Sequence, residues 1–172
     1  MGGNVELFDL RIYPDDMLRQ KCAPLETVTP LEDEILKKML FAMHHYRGIG
    51  LAAPQVGILK RLIVADIGEG PVQLINPEIV WTKGTDEMSE GCLSIPGVQV
   101  AIERPTDIVV MGLTGKGKKA ELGLKGLMAR VIQHEIDHLD GKLIVDYQTA
   151  DPNKLSDLKI QGEKRHGNQN TL

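Results

Sequence analysis

The stretch Gln133-His134-Glu135-Ile136-Asp137-His138 carries the residue types of metal-assisted hydrolysis at a helical spacing. Residues four apart on a helix lie one above the other, so His134 and His138 can turn a ring nitrogen toward a single divalent ion. Glu135 leaves such a helix about 100° from His134, beside the ion's open position, where it can take a proton from water. Counting back from His138, the residues His134, Val131, Leu127 and Leu124 keep to one stripe, and Met128, Ile132, Glu135 and Leu139 form the next. The same pattern suits a buried amphipathic helix whose two histidines are hydrogen-bonded core residues. A third ligand decides between the two.

Downstream candidates for that ligand are poor. Gly141 follows His138 by three residues, but the position where one protease group carries a third histidine holds Ile144. Gly141 reads instead as the left-handed residue that ends the helix. The remaining downstream carboxylate of the glutamate type, Glu163, stands in a polar tail. Upstream, Glu90-Gly91-Cys92-Leu93-Ser94-Ile95-Pro96-Gly97 offers Cys92, whose thiolate and neighbouring backbone N–H groups can face one point. A nucleophilic cysteine with a histidine base is the other reading, but it leaves the spacing of His134 and His138 without purpose.

The elements that must position these groups come next. Thr29-Pro30-Leu31-Glu32 is a capping box, and Leu31, Ile35, Met39, Ala42 and Tyr46 follow at helical spacing, which predicts a helix to about Arg47 that stops at Gly48. His44 and His45 lie side by side near its end and diverge too far to share a metal. Residues 48–57 form an uncharged loop of small residues around a lone Gln55, either a ligand-binding loop or a tight apolar turn. Strand-like runs cover 61–66, 72–76, 78–81, 98–102, 106–113 and 119–122, with a hairpin turn at 114–118. Strands cluster while the helices stand at either end of them. That order predicts an α+β fold with mostly antiparallel sheets packed around a central helix carrying the His-Glu-x-x-His motif.

With 172 residues and 42% hydrophobic composition, the chain reads as a single metallohydrolase domain over 1–150, which includes an irregular arm over 4–28, followed by a polar, flexible tail over 151–172. A net charge of −4 with scattered basic residues excludes a nucleic-acid footprint. No apolar run approaches the ~18 residues needed to span a bilayer, and no signal-peptide core opens the chain. Two cysteines, Cys22 and Cys92, are too few for a disulfide framework and suit a reducing compartment, so a cytoplasmic protein is expected.

Three stretches taken together, Gly48-Ile49-Gly50-Leu51-Ala52-Ala53-Pro54-Gln55, Glu90-Gly91-Cys92-Leu93-Ser94 and Gln133-His134-Glu135-Ile136-Asp137-His138, resemble the signature motifs of the peptide deformylases, in the same order. The similarity runs from about Asp9 to Tyr147. It implies removal of the formyl group from the N-terminal formylmethionine of nascent polypeptides, with release of formate. By matching motif positions, Cys92, His134 and His138 would hold one divalent ion per chain, Fe2+ by preference and Zn2+ as another occupant. Glu135 would be the general base and acid, and Gln55 with the Leu93 backbone N–H would stabilise the oxyanion.

Ile49, Leu127 and Val131 are expected to line an apolar slot suited to an unbranched thioether, with backbone contacts around Ile49 and Gly50 holding the peptide. Gln99 stands where some bacterial members carry a peptide-binding Arg. The tail lacks the long basic helix that docks some members on the ribosome, so ribosome proximity is expected without direct docking. Two rivals are a zincin-like metallopeptidase and a catalytically inactive protein that binds N-termini. A thiolate ligand argues against the first, and a general base beside three ligands against the second.

Overall fold

Thr29 organises the start of the first helix: its backbone N–H and hydroxyl donate to Glu32 Oε2 at 2.8 and 2.7 Å, and its hydroxyl accepts from the Leu31 N–H at 3.3 Å. This is the predicted capping box, and it opens α1 (Pro30–His45) in a computed structural model that describes residues 7–150, with side chains through residue 148. The helix ends two residues earlier than its periodicity suggests. Arg47, not Gly48, takes the left-handed conformation (φ 59°), and the Gly48 N–H reaches back to Met43 O at 2.9 Å.

Seven strands follow: β1 (Gly50–Ala52), β2 (Leu62–Ala65), β3 (Val72–Lys83), β4 (Asp86–Cys92), β5 (Ile95–Arg104), β6 (Asp107–Leu113) and β7 (Lys119–Lys125). A five-stranded sheet has the order β1-β2-β3-β6-β7, a two-stranded sheet pairs β4 with β5, and every pairing is antiparallel. The fold is α+β. Its second helix, α2 (Gly126–Leu139), leaves β7 directly.

Three departures from the periodicity reading have physical reasons. The runs on either side of Pro77 form one strand, because Asn76 turns left-handed (φ 51°) and a register shift between Ile75 and Glu78 absorbs the proline's missing donor. Asn76 is fixed there by its side chain, which accepts from Leu25 N–H at 2.9 Å and donates to Leu25 O at 2.8 Å. Part of the uncharged stretch 48–57 is the edge strand β1, which runs into a 3₁₀ turn at Ala53–Val56. Strand β4 has no apolar alternation, since its first four residues are exposed.

Strand β2 is buried along its whole length, which explains its uninterrupted apolar run. On one face, Ile63 and Ala65 join Leu74, Ile108 and Val110 of the sheet with Met128, Val131 and Ile132 of α2. On the other, Leu62 and Val64 meet Leu36, Met39 and Met43 of α1. A third apolar cluster, with Ile95, Val100 and Ile102 of β5, Leu18, Cys92 and Leu143, backs the small sheet.

The arm before α1 contains one 3₁₀ turn, Asp16–Arg19, and is tied down by backbone bonds: Arg11 N–H to Gln55 O at 2.7 Å, Tyr13 N–H to Ser94 O at 2.8 Å and Cys22 N–H to Leu139 O at 2.8 Å. Gly141 ends α2 in the predicted left-handed conformation (φ 72°), and a Cβ there would run into the Arg19 carbonyl. Among the described residues no helix is long and apolar enough to cross a membrane. The expected polar tail over 151–172 lies outside them.

Candidate metal centre and active site

Helix α2 carries His134 and His138 on successive turns, and the last residue of β4, Cys92, is brought to them by the tight turn into β5. The Cys92 Sγ lies 3.3 Å from His138 Nε2, and one ligand atom from each of Cys92, His134 and His138 falls within 4.8 Å of the others. All three side chains are buried. His134 uses Nδ1 to meet Glu90 Oε2 at 3.0 Å, so its Nε2 is left toward the thiol side.

Whether these residues fit a metal can be judged from their unmet hydrogen-bonding capacity. His134 Nε2, His138 Nδ1 and both Glu135 carboxylate oxygens are buried with no protein partner. Orphaned buried polar atoms cost about 1–3 kcal/mol each, and His134 Nε2 and the Glu135 carboxylate, unpaired near Cys92 Sγ and His138 Nε2, match a cation with water beside it, while His138 Nδ1 lies on the far side of its ring. The electrostatics point the same way. Burial, then the charge of Glu135, push the Cys92 thiol up to about 12, a shift that a bound cation reverses. Burial, then His134, hold His138 well below the usual imidazolium range, which keeps it a neutral ligand.

Glu135 is fully buried, and burial followed by the charge of Glu90 raises its carboxyl well above the ordinary value. It faces the edge of the large sheet: a Cβ at Gly50 would collide with Glu135 Oε1 and come within 2.7 Å of Val131 Cγ1. Only glycine lets β1 approach α2 that closely. Val131 is a buried member of the apolar cluster that α2 shares with the large sheet, and Ile49 and Leu127 pack against the same cluster.

Gln55 finds partners for its amide. Its Oε1 accepts from Ala52 N–H at 2.8 Å, and its Nε2 points at Cys92 Sγ, 3.7 Å away, and Ser94 Oγ, 3.2 Å away. Leu93 lies in the turn between β4 and β5, next to the thiol. Gln99 folds back on β4, where Ser89 Oγ donates to its Oε1 at 3.1 Å. An open depression of about 210 Å³ lined by residues from Gly91 to Gln99 flanks Cys92.

Sequence reasoning missed the buried ionic frame behind His134. Arg104 grips Glu90 with two bonds (Nε to Oε1 2.6 Å, Nη2 to Oε2 3.0 Å), and Arg130 adds Nη1 to Oε1 at 2.7 Å. Arg130 also donates to Ile102 O at 2.8 Å and to Asp86 Oδ1 at 2.6 Å, pinning α2 to both strands of the small sheet. Arg104 and Tyr147 converge on Asp137 Oδ2, at 2.9 and 2.6 Å. Burial works to raise the Glu90 carboxyl, but hydrogen bonds from His134 and Arg104 outweigh it and hold Glu90 at about 2. Buried arginines inside the amphipathic pattern of α2 and β5 were the available signal.

An antiparallel α+β domain whose helix and hairpin bring a thiol, two imidazoles and a free carboxylate together is that of a metal-dependent hydrolase. Comparison with known proteins agrees: the polypeptide deformylase family profile matches residues 8–154. A peptide deformylase from Hydrogenovibrio crunogenus is 46% identical over 146 residues, covering 83% of this chain and 86% of that protein. Peptide deformylase 1 of Clostridium acetobutylicum is 48% identical over 137 residues, 80% of this chain and 91% of its own. Among solved structures, the peptide deformylase from Thermotoga maritima superposes with a TM-score of 0.79 at 43% identity, over 82% of this chain and 97% of that one. That of Synechococcus elongatus in complex with actinonin gives 0.78 at 45% identity, over 81% and 77%. This chain belongs to the polypeptide deformylase family.

Proposed function

We propose that this protein hydrolyses the formyl amide of N-terminal formylmethionine on nascent polypeptides and releases formate. The observation that carries the reading is the meeting of Cys92, His134 and His138 within 4.8 Å of one another next to the buried, unpartnered carboxylate of Glu135. Residues 1–150 act as one metallohydrolase domain, and α2 is the central helix around which both sheets are arranged. Cys92, His134 and His138 are the ligands of one divalent ion, Fe2+ in the cell with Zn2+ as another occupant. When bound there, the ion supplies a Lewis acid that makes water acidic and polarises the formyl carbonyl.

The chain's own groups do the rest. Glu135 takes the proton of the attacking water and returns it to the departing amine, and its raised carboxyl pKa suits a group that must hold that proton between the two steps. Gln55 Nε2 and the Leu93 backbone N–H donate to the oxygen on which negative charge collects, each worth ~3 kcal/mol in a dry site. Ile49, Leu127 and Val131 receive the methionine side chain. The edge strand β1, through Ile49 and Gly50, holds the peptide in an extended path.

The partners are formylated nascent peptides, met in the cytoplasm and near the ribosome without a dedicated docking helix. The deciding experiment is formate release from formyl-Met peptides by anaerobically Fe2+-loaded protein. No formate from protein with a full metal equivalent would overturn the reading.

A further inference from the structure

The outer face of the five-stranded sheet breaks the polar-out rule in an ordered way. On β6, Ile108 and Val110 point into the core, so Asp107, Val109 and Met111 point outward. Strand pairing sets these three in rows across the sheet: Glu78, Met111 and Glu121; then Trp81, Val109 and Gly123; then Lys83, Asp107 and Lys125. Trp81 is 50% exposed and Met111 39%, and the bulge at Val80 exposes a further apolar residue at 47%. Gly123 leaves open space beside Val109, since a Cβ there would meet nothing within 4 Å. An apolar middle row is thus flanked on one side by two carboxylates and on the other by two ammonium groups with the Asp107 carboxylate between them.

We infer that this face is a self-docking surface whose partner is a second copy of the chain. Two sheets stacked face to face by a two-fold axis in their plane have two simple choices. An axis along the strands lays row upon like row, with carboxylates over carboxylates. An axis across the strands reverses the rows, so that Glu78 and Glu121 of each copy lie over Lys83 and Lys125 of the other while the two Trp81 rows meet in the middle. Charge selects the second. Asp107 within the basic row is engaged by Thr106 Oγ1 at 2.9 Å and by Lys125 Nζ at 3.5 Å, which softens its meeting with the partner's Met111.

The patch is small. Three strands about 4.8 Å apart and three rows about 7 Å apart cover far less than the ~800 Å² per partner of a standard interface, so the dimer is weak and concentration-dependent. Its charged rows make it weaker still in high salt. None of these residues belongs to the proposed active site.

Sedimentation of the metal-loaded full chain, from about 1 μM to about 1 mM, brackets contacts of this strength. The weight-average mass should climb from 19.0 kDa toward twice that value, with a blue shift of the single tryptophan's emission as Trp81 is covered. Trp81→Ser should weaken association at least tenfold while formate release is unchanged. The double variants Glu78→Lys with Glu121→Lys, and Lys83→Glu with Lys125→Glu, should each stay monomeric alone and associate when mixed. Constant mass across the range, association of either charge variant like the parent, or a mixture that stays monomeric would each overturn the proposal.

Discussion

His134 Nδ1 and Glu90 Oε2 stand 3.0 Å apart, and this pair decides which imidazole nitrogen faces the thiol. Glu90 can orient the ring because Arg104 and Arg130 already hold its carboxylate from two other elements. Replacing Glu90 by Gln keeps the shape but weakens the charge-assisted bond, so metal affinity should fall by about 10–100-fold, the usual cost of losing a group that supports a ligand. Competition against a chelator reads this directly. Unchanged affinity would mean that packing alone orients His134.

The two cysteines should behave oppositely. Cys92→Ser should strip the protein of metal, whereas Cys22→Ser, at a buried position whose backbone N–H caps Leu139 O, should keep a full equivalent. Metal content of both variants settles it, and a metal-replete Cys92→Ser would sink the ligand assignment.

The proposed mechanism gives Glu135 a proton to move and no bond to the metal. Glu135→Ala should therefore retain metal and lose about a hundredfold or more in turnover, the order expected of general acid–base catalysis. Glu135→Gln should be nearly as slow, because it cannot accept the proton. Activity surviving in the Gln variant would assign the proton to another group.

Gly50→Ala places a methyl group against Glu135 Oε1 and Val131 Cγ1. Either β1 or the carboxylate must move, and a displacement on the order of 1 Å at reacting groups costs roughly a hundredfold in rate. Metal should stay bound. Wild-type kcat/KM in this variant would show that the strand edge and the base do not need their close approach.

A stability prediction concerns Glu32, which hydrogen bonds from Lys60 and Thr29 hold at about 2, below its ordinary 4.5. A carboxylate with a depressed folded-state value stabilises fully above its unfolded value, and that stabilisation drains away as pH falls through the folded value. The gap in thermal midpoint between the parent and Glu32→Gln should thus be widest above about pH 5 and close between about pH 4.5 and about 2. One such bonded group is worth about 1 kcal/mol, or about 2–4 °C here. A gap that stays constant through that window would contradict the assignment.

The parts of the fold legible in the sequence are those whose signals are local. Thr29 and Glu32 announce α1 because the cap is made within four residues, and Gly141 announces the end of α2 for the same reason. Strand β4 was hidden because Asp86 to Ser89 are all solvent-facing, so pairing with β5 leaves no alternation to read. The candidate ligands Cys92, His134 and His138 were legible as motifs. Their support was not, because Glu90, Arg104 and Arg130 lie 14 and 40 residues apart and meet only when the small sheet closes on α2.

The arm before α1 has a consequence of a different kind. Main-chain amides of Arg11, Tyr13 and Cys22 stitch together the carbonyls of Gln55, Ser94 and Leu139, one from each of the three regions that make the site. At the exposed positions Arg11 and Tyr13 any residue but proline could donate the same N–H, whereas Cys22 must in addition fit the core. Registration among the motifs is therefore written partly in backbone alone, in a stretch that pattern-matching on residue types passes over.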